Sequence, residues 1–448
     1  MLTPIQAQDA AARIVERARA AGADAADAVF VADGSTAVQV RDGALEDVGR
    51  SESAELGLRV FAGTRSASVA TSDLSDDAVA TLVERAVAMA RLAPEDRWAG
   101  LAPAERLLTG PLPSLDLDDG GDPAPDALKA RALAVEDAAR AVAGVTKSDG
   151  ASASASRGVV ALATSHGFAG AYGFTGYGQS ATMLAARDGA MERDYAVHSA
   201  RHQAVLEAAA DTGRLAGERA VSRVGSGRIE GGAMPVVFDR RLSGGLLGHL
   251  LGAIAGPSIA RRTSFLLDAL GTQVFAKGIR IVDDPHRPQG LRSRPFDGEG
   301  LPVSPTEVVS DGLLETWLLD SASARQLGLE PTGHASRGIG SAPGVGATNL
   351  HMAAGGTPRD TLIGEIDRGV LVIETIGHGV NGVTGDYSMG AAGFLIERGE
   401  VTRPVSEFTI AGNLRAMFTT ATPASDLVFR GGVNAPTLRI DGMTVASA

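Results

Sequence analysis

Residues 241–254 read RLSGGLLGHLLGAI. Leu242, Leu246 and His249 are separated by four and three residues, so the pattern predicts a helix with these side chains on one face. Beyond this segment, Asp-Gly or Asn-Gly pairs stand at residues 297–298, 311–312 and 381–382, and such pairs favour tight turns between strands. Residues 231–448 are therefore predicted to form a β-rich C-terminal domain with few helices.

The residues at the start of the chain predict a different kind of domain. Thr3 followed by Pro4 is typical of a helix start, because threonine can cap the helix and proline suits its first position. Val38 and Val40 alternate as in a strand, and the Asp42-Gly43 pair after them predicts a hairpin turn. We expect residues 1–100 to form an α+β domain of antiparallel strands with flanking helices.

Two further segments lie between these domains. Residues 101–126 are rich in Pro, Asp and Gly, which indicates a linker. Residues 127–230 are predicted to form a central helix-strand-helix segment, with its last helix over roughly residues 204–224. Its middle part, residues 148–200, alternates small and polar residues as long antiparallel strands do, although its many glycines leave a loop as the competing interpretation. The predicted fold class is α+β.

The composition excludes several functions. The formal charge of −12 argues against nonspecific binding of nucleic acid, which requires a cationic surface. The absence of cysteine excludes disulfides and thiolate metal sites. The longest apolar run, residues 246–255, is much shorter than the roughly 20 residues that cross a bilayer, and the N-terminus does not read as a secretory signal. We therefore expect a cytoplasmic protein that contacts neither nucleic acid nor membrane.

Four segments together carry a resemblance to a known family. They are residues 241–254, the run RRTSFL at residues 261–266, NGVTGDYS at residues 381–388 and TIAGNL at residues 409–414. In this order and spacing the chain resembles the TldD/PmbA family of bacterial metallopeptidases, specifically its PmbA (TldE) branch. The resemblance covers nearly the whole chain and is close from about Gly231 onward.

The resemblance implies a division of labour between two homologous subunits. The TldD-type subunit binds zinc through a His-Glu-x-x-x-His helix, whereas the matching stretch here, residues 248–253, reads GHLLGA. The chain is therefore expected to carry no catalytic residue and to bind no metal or other cofactor itself, with zinc on a TldD-type partner. The implied substrate is a peptide or an unfolded protein, and older names in the family refer to modulation of DNA gyrase.

Several residues are candidates for contacting that substrate. By the alignment, His249 falls where the catalytic Glu of the metal-binding subunit lies, and the alternative is a core histidine satisfied by one hydrogen bond. Arg261 and Arg262, followed by Ser264, could hold a carboxylate in a bidentate manner, and the alternative is a solvated surface pair.

The remaining candidates lie in loops. His334 and His378 are in glycine-rich loops, which often hold binding residues, and the alternative for each is simply a polar loop residue. Asp386 could orient an arginine or a hydroxyl group, or simply cap a turn.

Three functional hypotheses follow. The first is a PmbA/TldE-type subunit that encloses the zinc site of a TldD-type partner and binds extended peptides for proteolysis or peptide maturation. The second is a self-sufficient metallopeptidase whose site is assembled from His249, His334, His378 and Asp386. The third is a peptide-binding or regulatory homodimer without enzymatic activity.

Overall fold

The computed structural model describes residues 2–447. The helices are α1 (Pro4–Ala20), α2 (Asp76–Leu92), α3 (Pro125–Arg140), α4 (Ala209–Ser222), α5 (Arg240–Ile254), α6 (Gly256–Ala260), α7 (Ser321–Leu327), α8 (Arg359–Gly364) and α9 (Leu414–Thr419). The N-terminal strands are β1 (Ala25–Arg41), β2 (Ala44–Ala62), β3 (Arg65–Thr71), β4 (Val145–Thr164), β5 (Ala169–Arg187) and β6 (Ala190–Ala200).

The strands of the C-terminal part are shorter and more numerous. They are β7 (Gly232–Phe238), β8 (Ile281–Asp283), β9 (Thr306–Ser310), β10 (Leu313–Leu314), β11 (Ala335–Ser336), β12 (Gly344–Val345), β13 (Leu350–Met352), β14 (Arg368–Ile376), β15 (Asp386–Glu397), β16 (Glu400–Asn413), β17 (Ala421–Pro423), β18 (Val433–Asn434) and β19 (Leu438–Ser447). The α+β prediction is confirmed. No helix within residues 2–447 is long and apolar enough to span a membrane.

The N-terminal sheet is a single antiparallel sheet with the strand order β3-β2-β1-β4-β5-β6. β1 and β4 pair from Asp27 opposite Thr164 to Val40 opposite Ala151, so strands before and after the linker share this sheet. The glycine-containing residues 148–200 lie in β4, β5 and β6, which confirms the strand interpretation over the loop. Asp42 and Gly43 both have positive φ in the β1–β2 turn, as predicted.

Helices cover one face of this sheet in two pairs. Buried residues of α1 and α2 share a core with Phe30 and Leu56, whereas those of α3 and α4 share a core with Val38 and Met183. The helix α4 begins at Ala209 rather than near residue 204. The preceding residues instead form a short 3-10 turn in which Asp119 Oδ2 accepts the N–H of Gln203 at 2.9 Å.

The C-terminal domain encloses the predicted helix in a β-rich frame. Its larger sheet has the order β16-β15-β14-β7-β19-β17, and an additional pairing of β16 with β19 closes a ring of strands. Leu247, Leu250 and Ile254 of α5 are fully buried in the same core as Val236 and Val372 of that sheet. The Asp311-Gly312 pair joins β9 to β10 with positive φ at both residues, as the sequence predicts.

A buried ion cluster joins the N-terminal sheet to the C-terminal domain. Asp27 on β1 accepts a hydrogen bond from Arg59 Nε at 2.8 Å across the strand pair, and another from Arg337 Nη2 at 2.8 Å. All three side chains are at most 6% exposed. Beside this cluster, the Ile339 carbonyl approaches Gly57 so closely that a Cβ there would lie 1.8 Å from the oxygen. The loop that follows β11 is therefore held directly against the sheet.

Two buried carboxyl groups lie close to the same junction. Glu299 Oε2 accepts the backbone N–H of Ser321 at 2.8 Å and its hydroxyl at 2.6 Å. Burial, together with the negative charge of Asp297, raises the pKa of Glu299 to about 7, and burial also raises the pKa of Asp297. A carboxyl group with a raised pKa destabilises the folded state at pH values at which it must ionise.

We predict that Asp27→Asn lowers the free energy of unfolding by about 3–5 kcal/mol, because two buried guanidinium groups lose their anionic partner. Urea unfolding monitored by circular dichroism measures the change. Asp76→Asn is the matched control, since the Asp76–Arg17 pair is exposed and is expected to contribute less than about 1 kcal/mol. Equal losses in the two variants would contradict a structural role for Asp27.

We also predict that Glu299→Gln changes the pH dependence of stability. In the wild-type chain, Glu299 releases its proton in the unfolded state near the ordinary pKa of 4.5 but in the folded state near 7. The contribution of Glu299 to the free energy of unfolding is therefore most favourable below pH 4.5. It falls by up to about 3 kcal/mol as the pH rises from 4.5 to 7. The stability difference between variant and wild type should grow from pH 5 to pH 8, and a constant difference would refute this account.

Candidate functional site

One face of the helix α5 carries glycine instead of side chains. Gly245, Gly248 and Gly252 are three and four residues apart and therefore lie on one face. A Cβ atom at any of them would meet no heavy atom within 4 Å, and none has a positive φ. Each glycine nevertheless costs about 1 kcal/mol relative to alanine within a helix. Since neither packing nor backbone conformation within residues 2–447 requires these glycines, their effect is to leave the helix backbone accessible.

A cavity of about 410 Å³ lies along one side of this glycine face. His249 projects into it from α5, and His378 reaches it from the loop after β14. The other lining residues are small or apolar: Gly248, Gly252, Ala253, Ser258, Thr263, Phe265, Gly377, Val380, Gly382 and Met389. The structure thus brings two of the predicted site residues to one cavity.

His249 is half-buried, and its ring meets the ring of Tyr387 edge-on with centroids 6.0 Å apart. Burial lowers the pKa of His249, whereas burial raises the pKa of Tyr387 to about 12. His249 is therefore a neutral imidazole at pH 7, with one nitrogen able to donate and the other to accept a hydrogen bond.

A second cavity, of about 440 Å³, lies on the other side of the glycine face. Leu251 and Gly252 of α5 and the adjoining Ala255 line it, together with Arg292 and Arg294 and with Leu318, Ser336 and residues 345–348. Gly252 lines both cavities, so the two adjoin at this residue, and we refer to them together as the α5 cleft. The sequence analysis did not single out this arginine pair. Their spacing of two residues gave no signal, because residues 291 and 292 form a turn rather than a strand.

Arg261, Arg262 and Ser264 have different environments at the end of α6. Both arginines are exposed, and their side chains make no hydrogen bond or ion pair within residues 2–447. They lie next to Thr263, which lines the first cavity. Ser264 is buried instead. Its hydroxyl donates to the Ala253 carbonyl at 2.6 Å and accepts the N–H of Leu266 at 2.9 Å, so it anchors this loop to α5.

His334 and Asp386 do not line either cavity. His334 is 3% exposed; its Nε2 lies 3.3 Å from Asp283 Oδ2 and its Nδ1 lies 2.9 Å from Thr332 Oγ1. Asp386 is exposed and accepts from the Thr384 hydroxyl at 2.7 Å, and this bond is the main cause of its lowered pKa. The structure therefore does not bring together the four residues of the self-sufficient metal site.

The donors of the α5 cleft do not fit a catalytic zinc ion. Such an ion takes three protein ligands, and a carboxylate nearby activates its water. His249 and His378 are the imidazoles that line the first cavity, and no carboxylate lines either cavity. In the described part of the chain, no group of three or more His, Cys, Asp or Glu side chains is placed to hold a metal ion.

Comparison with known proteins places this architecture in a family. The sequence matches the models of PmbA/TldA metallopeptidase domain 1 at residues 26–90, of the central domain at residues 118–224 and of the C-terminal domain at residues 231–447. It is 37% identical to the metalloprotease PmbA of Escherichia coli O157:H7 over 411 residues, which cover 91% of this chain and 89% of that protein.

Solved structures agree with the sequence matches. A Bacteroides thetaiotaomicron protein designated a modulator of DNA gyrase superposes with a TM-score of 0.92 at 26% identity, covering 100% of both chains. TldE from Thermococcus kodakarensis, at 20% identity, shares the fold with a TM-score of 0.87, covering 97% of this chain and 99% of that chain. From these matches over nearly its whole length, we conclude that the chain belongs to the PmbA/TldD family of metallopeptidases.

Proposed function

We propose that this chain is the PmbA/TldE-type subunit of a cytoplasmic TldD/TldE zinc metallopeptidase complex. In this role it encloses the zinc site of a TldD-type partner and binds unfolded or extended peptides for proteolysis or peptide maturation. The chain itself supplies no ligand to the metal. Its contribution is to bind and orient the substrate and to limit access to the site.

The observation that carries the proposal is the glycine face of α5. The chain matches the metallopeptidase C-terminal domain over residues 231–447, yet Gly248 and Ala253, which the resemblance aligns with the two histidines of the metal-binding helix, offer no ligand group and line the first cavity. A helix that bears glycine towards a cleft lets another backbone approach closely. Hence the cleft favours binding of a peptide over ligation of a metal.

The length of the glycine face of α5 suits an extended peptide. From Gly245 to Gly252 the helix rises by about 10 Å, at roughly 1.5 Å per residue. An extended chain covers this length with about three residues. His249, a neutral donor and acceptor beside the glycine face, suits the peptide groups of such a segment.

Reconstitution with a TldD-type subunit from the same genome tests the proposed function. We expect neither this chain alone nor a mixture without zinc to cleave an unfolded peptide, whereas the zinc-loaded pair cleaves it. Metal analysis by mass spectrometry should find zinc on the partner and none on this chain. One tightly held zinc per copy of this chain, accompanied by cleavage, would overturn the proposal.

Within the reconstituted pair, His249→Ala and Arg261→Ala should lower the rate of cleavage by about tenfold, roughly 1.4 kcal/mol, without loss of zinc. His166→Ala is the control, because His166 bonds the Ala102 carbonyl in the N-terminal part, away from the cleft. Unchanged kinetics in both test variants would remove these two residues from the substrate site.

We further predict opposite effects of Gly248→Ala and Gly252→Ala on stability and binding. Each should raise the free energy of unfolding by about 0.5–1 kcal/mol, because alanine favours the helix and finds open space there. Each should also weaken peptide binding and slow cleavage by the pair, since the methyl group occupies the cleft. Calorimetry and fluorescence anisotropy measure the two effects.

Gly364→Ala provides the matched control for this pair of variants. Gly364 lies at the end of α8, outside the cleft, and a Cβ there also meets nothing within 4 Å. This substitution should leave peptide binding unchanged. If Gly248→Ala and Gly252→Ala bind peptide as well as the wild-type chain does, the glycine face does not contact substrate.

A further inference from the structure

The second cavity of the α5 cleft contains two positive charges and no negative one. Arg292 and Arg294 line it, and no acidic residue does. Neither side chain forms an ion pair within 4.0 Å in residues 2–447. The chain as a whole carries a charge of −12, so an unneutralised cationic cavity stands out against its surroundings. Such a cavity attracts an anion at short range.

Arg292 is exposed at the cavity, so its guanidinium group is free to bind a ligand. Its guanidinium makes no hydrogen bond within the described residues, while its backbone N–H donates to Asn349 Oδ1 at 3.0 Å and holds the segment in position. Its side chain passes directly over Gly432, where a Cβ would lie 2.2 Å from Arg292 Cδ. Gly432 thus leaves room for this arginine.

Arg294 is held more rigidly beside it. Its Nη1 donates to the Ala335 carbonyl at 2.9 Å and its Nη2 to the Gly346 carbonyl at 3.5 Å. Its Nε is buried without an acceptor. Two neutral carbonyl groups therefore orient the guanidinium but do not neutralise its charge. The buried Asp297 feels this charge, yet it lies beyond ion-pair distance.

Apart from Ser336 and Thr348, the remaining walls of the cavity are apolar. Leu251 comes from α5, Ala255 from the residue after it, Leu318 from the segment before α7, and Val345 from β12. A ligand that fits both kinds of wall has a carboxylate next to an apolar group. An arginine pair suits a carboxylate, because a guanidinium group donates two parallel hydrogen bonds to its oxygens.

We infer that Arg292 and Arg294 form a carboxylate subsite of the α5 cleft, which takes the terminal carboxylate of a peptide whose last side chain is apolar. The inference rests on the proposed function and specifies its substrate class. It adds a second arginine pair, which lines the cleft, to the exposed Arg261 and Arg262 beside the first cavity. An acidic side chain within a peptide presents the same chemistry, and the experiment distinguishes the two sources.

The test measures the binding of three fluorescent octapeptides to the full-length chain by anisotropy in 0.1 M salt. One peptide has no acidic residue and a free C-terminus, the second is its C-terminal amide, and the third is the amide with one internal glutamate. We expect the free acid to bind at least about tenfold more tightly than the amide, whereas the glutamate peptide resembles the amide. Tight binding of the glutamate peptide alone would overturn the assignment to the terminal carboxylate.

Variants connect this preference to the two arginines. Arg292→Gln should reduce the preference for the acid to within about twofold, and Arg292→Lys, which keeps the charge but loses the planar fork, should retain part of it. Arg359→Gln is the control, because Arg359 pairs with Asp360 outside the cleft, and it should keep the full preference. A preference unaltered by Arg292→Gln would overturn the inference.

The outcomes separate this inference from the proposed function. Equal binding of acid and amide by the wild-type chain would exclude the carboxylate subsite and leave peptide binding intact. Failure of all three peptides to bind, either to this chain or to its complex with a TldD-type subunit, would overturn the proposed function together with the subsite.

Discussion

The Asp27 carboxylate is the contact on which the arrangement of this molecule depends. It lies between two guanidinium groups, one from the neighbouring strand and one from a loop more than 300 positions later in the chain. With one negative and two positive charges in a buried place, neither arginine has an alternative partner of comparable strength. This buried cluster is therefore one of the contacts that fix the N-terminal sheet to the C-terminal domain, and removing its carboxylate would leave two buried positive charges unpaired.

This junction also shapes one wall of the α5 cleft. Arg337 follows directly after Ser336, and the loop beyond it returns to Val345 and Gly346, which line the second cavity. Gly57 allows the Ile339 carbonyl to contact the sheet, so the same loop is held at two neighbouring positions. A wall anchored in this way does not need to order on binding, which reduces the entropic cost of capturing a flexible peptide.

The α5 cleft illustrates a conflict between stability and function. Glycine is unfavourable within a helix, so the three glycines on one face of α5 weaken it. Within residues 2–447, no neighbouring atom is close enough to require a glycine at any of these positions. The opposite face compensates, because Leu247, Leu250 and Ile254 are completely buried. The helix can therefore expose its backbone to a ligand because tertiary packing, rather than helix propensity, maintains its structure.

The sequence by itself determined the features that depend on neighbours along the chain. Thr3 and Pro4 start α1, Asp42-Gly43 and Asp311-Gly312 form their turns, and the α+β class and the family follow from local patterns. Caps and turns are readable because their residues interact within a few positions. Only the tertiary structure decided that β1 pairs with β4 in one sheet, that Ser264 anchors a loop, and that Arg292 and Arg294 share a cavity with α5. These outcomes depend on contacts between distant segments, and the spacing of residues along the chain carries no record of which segments will meet.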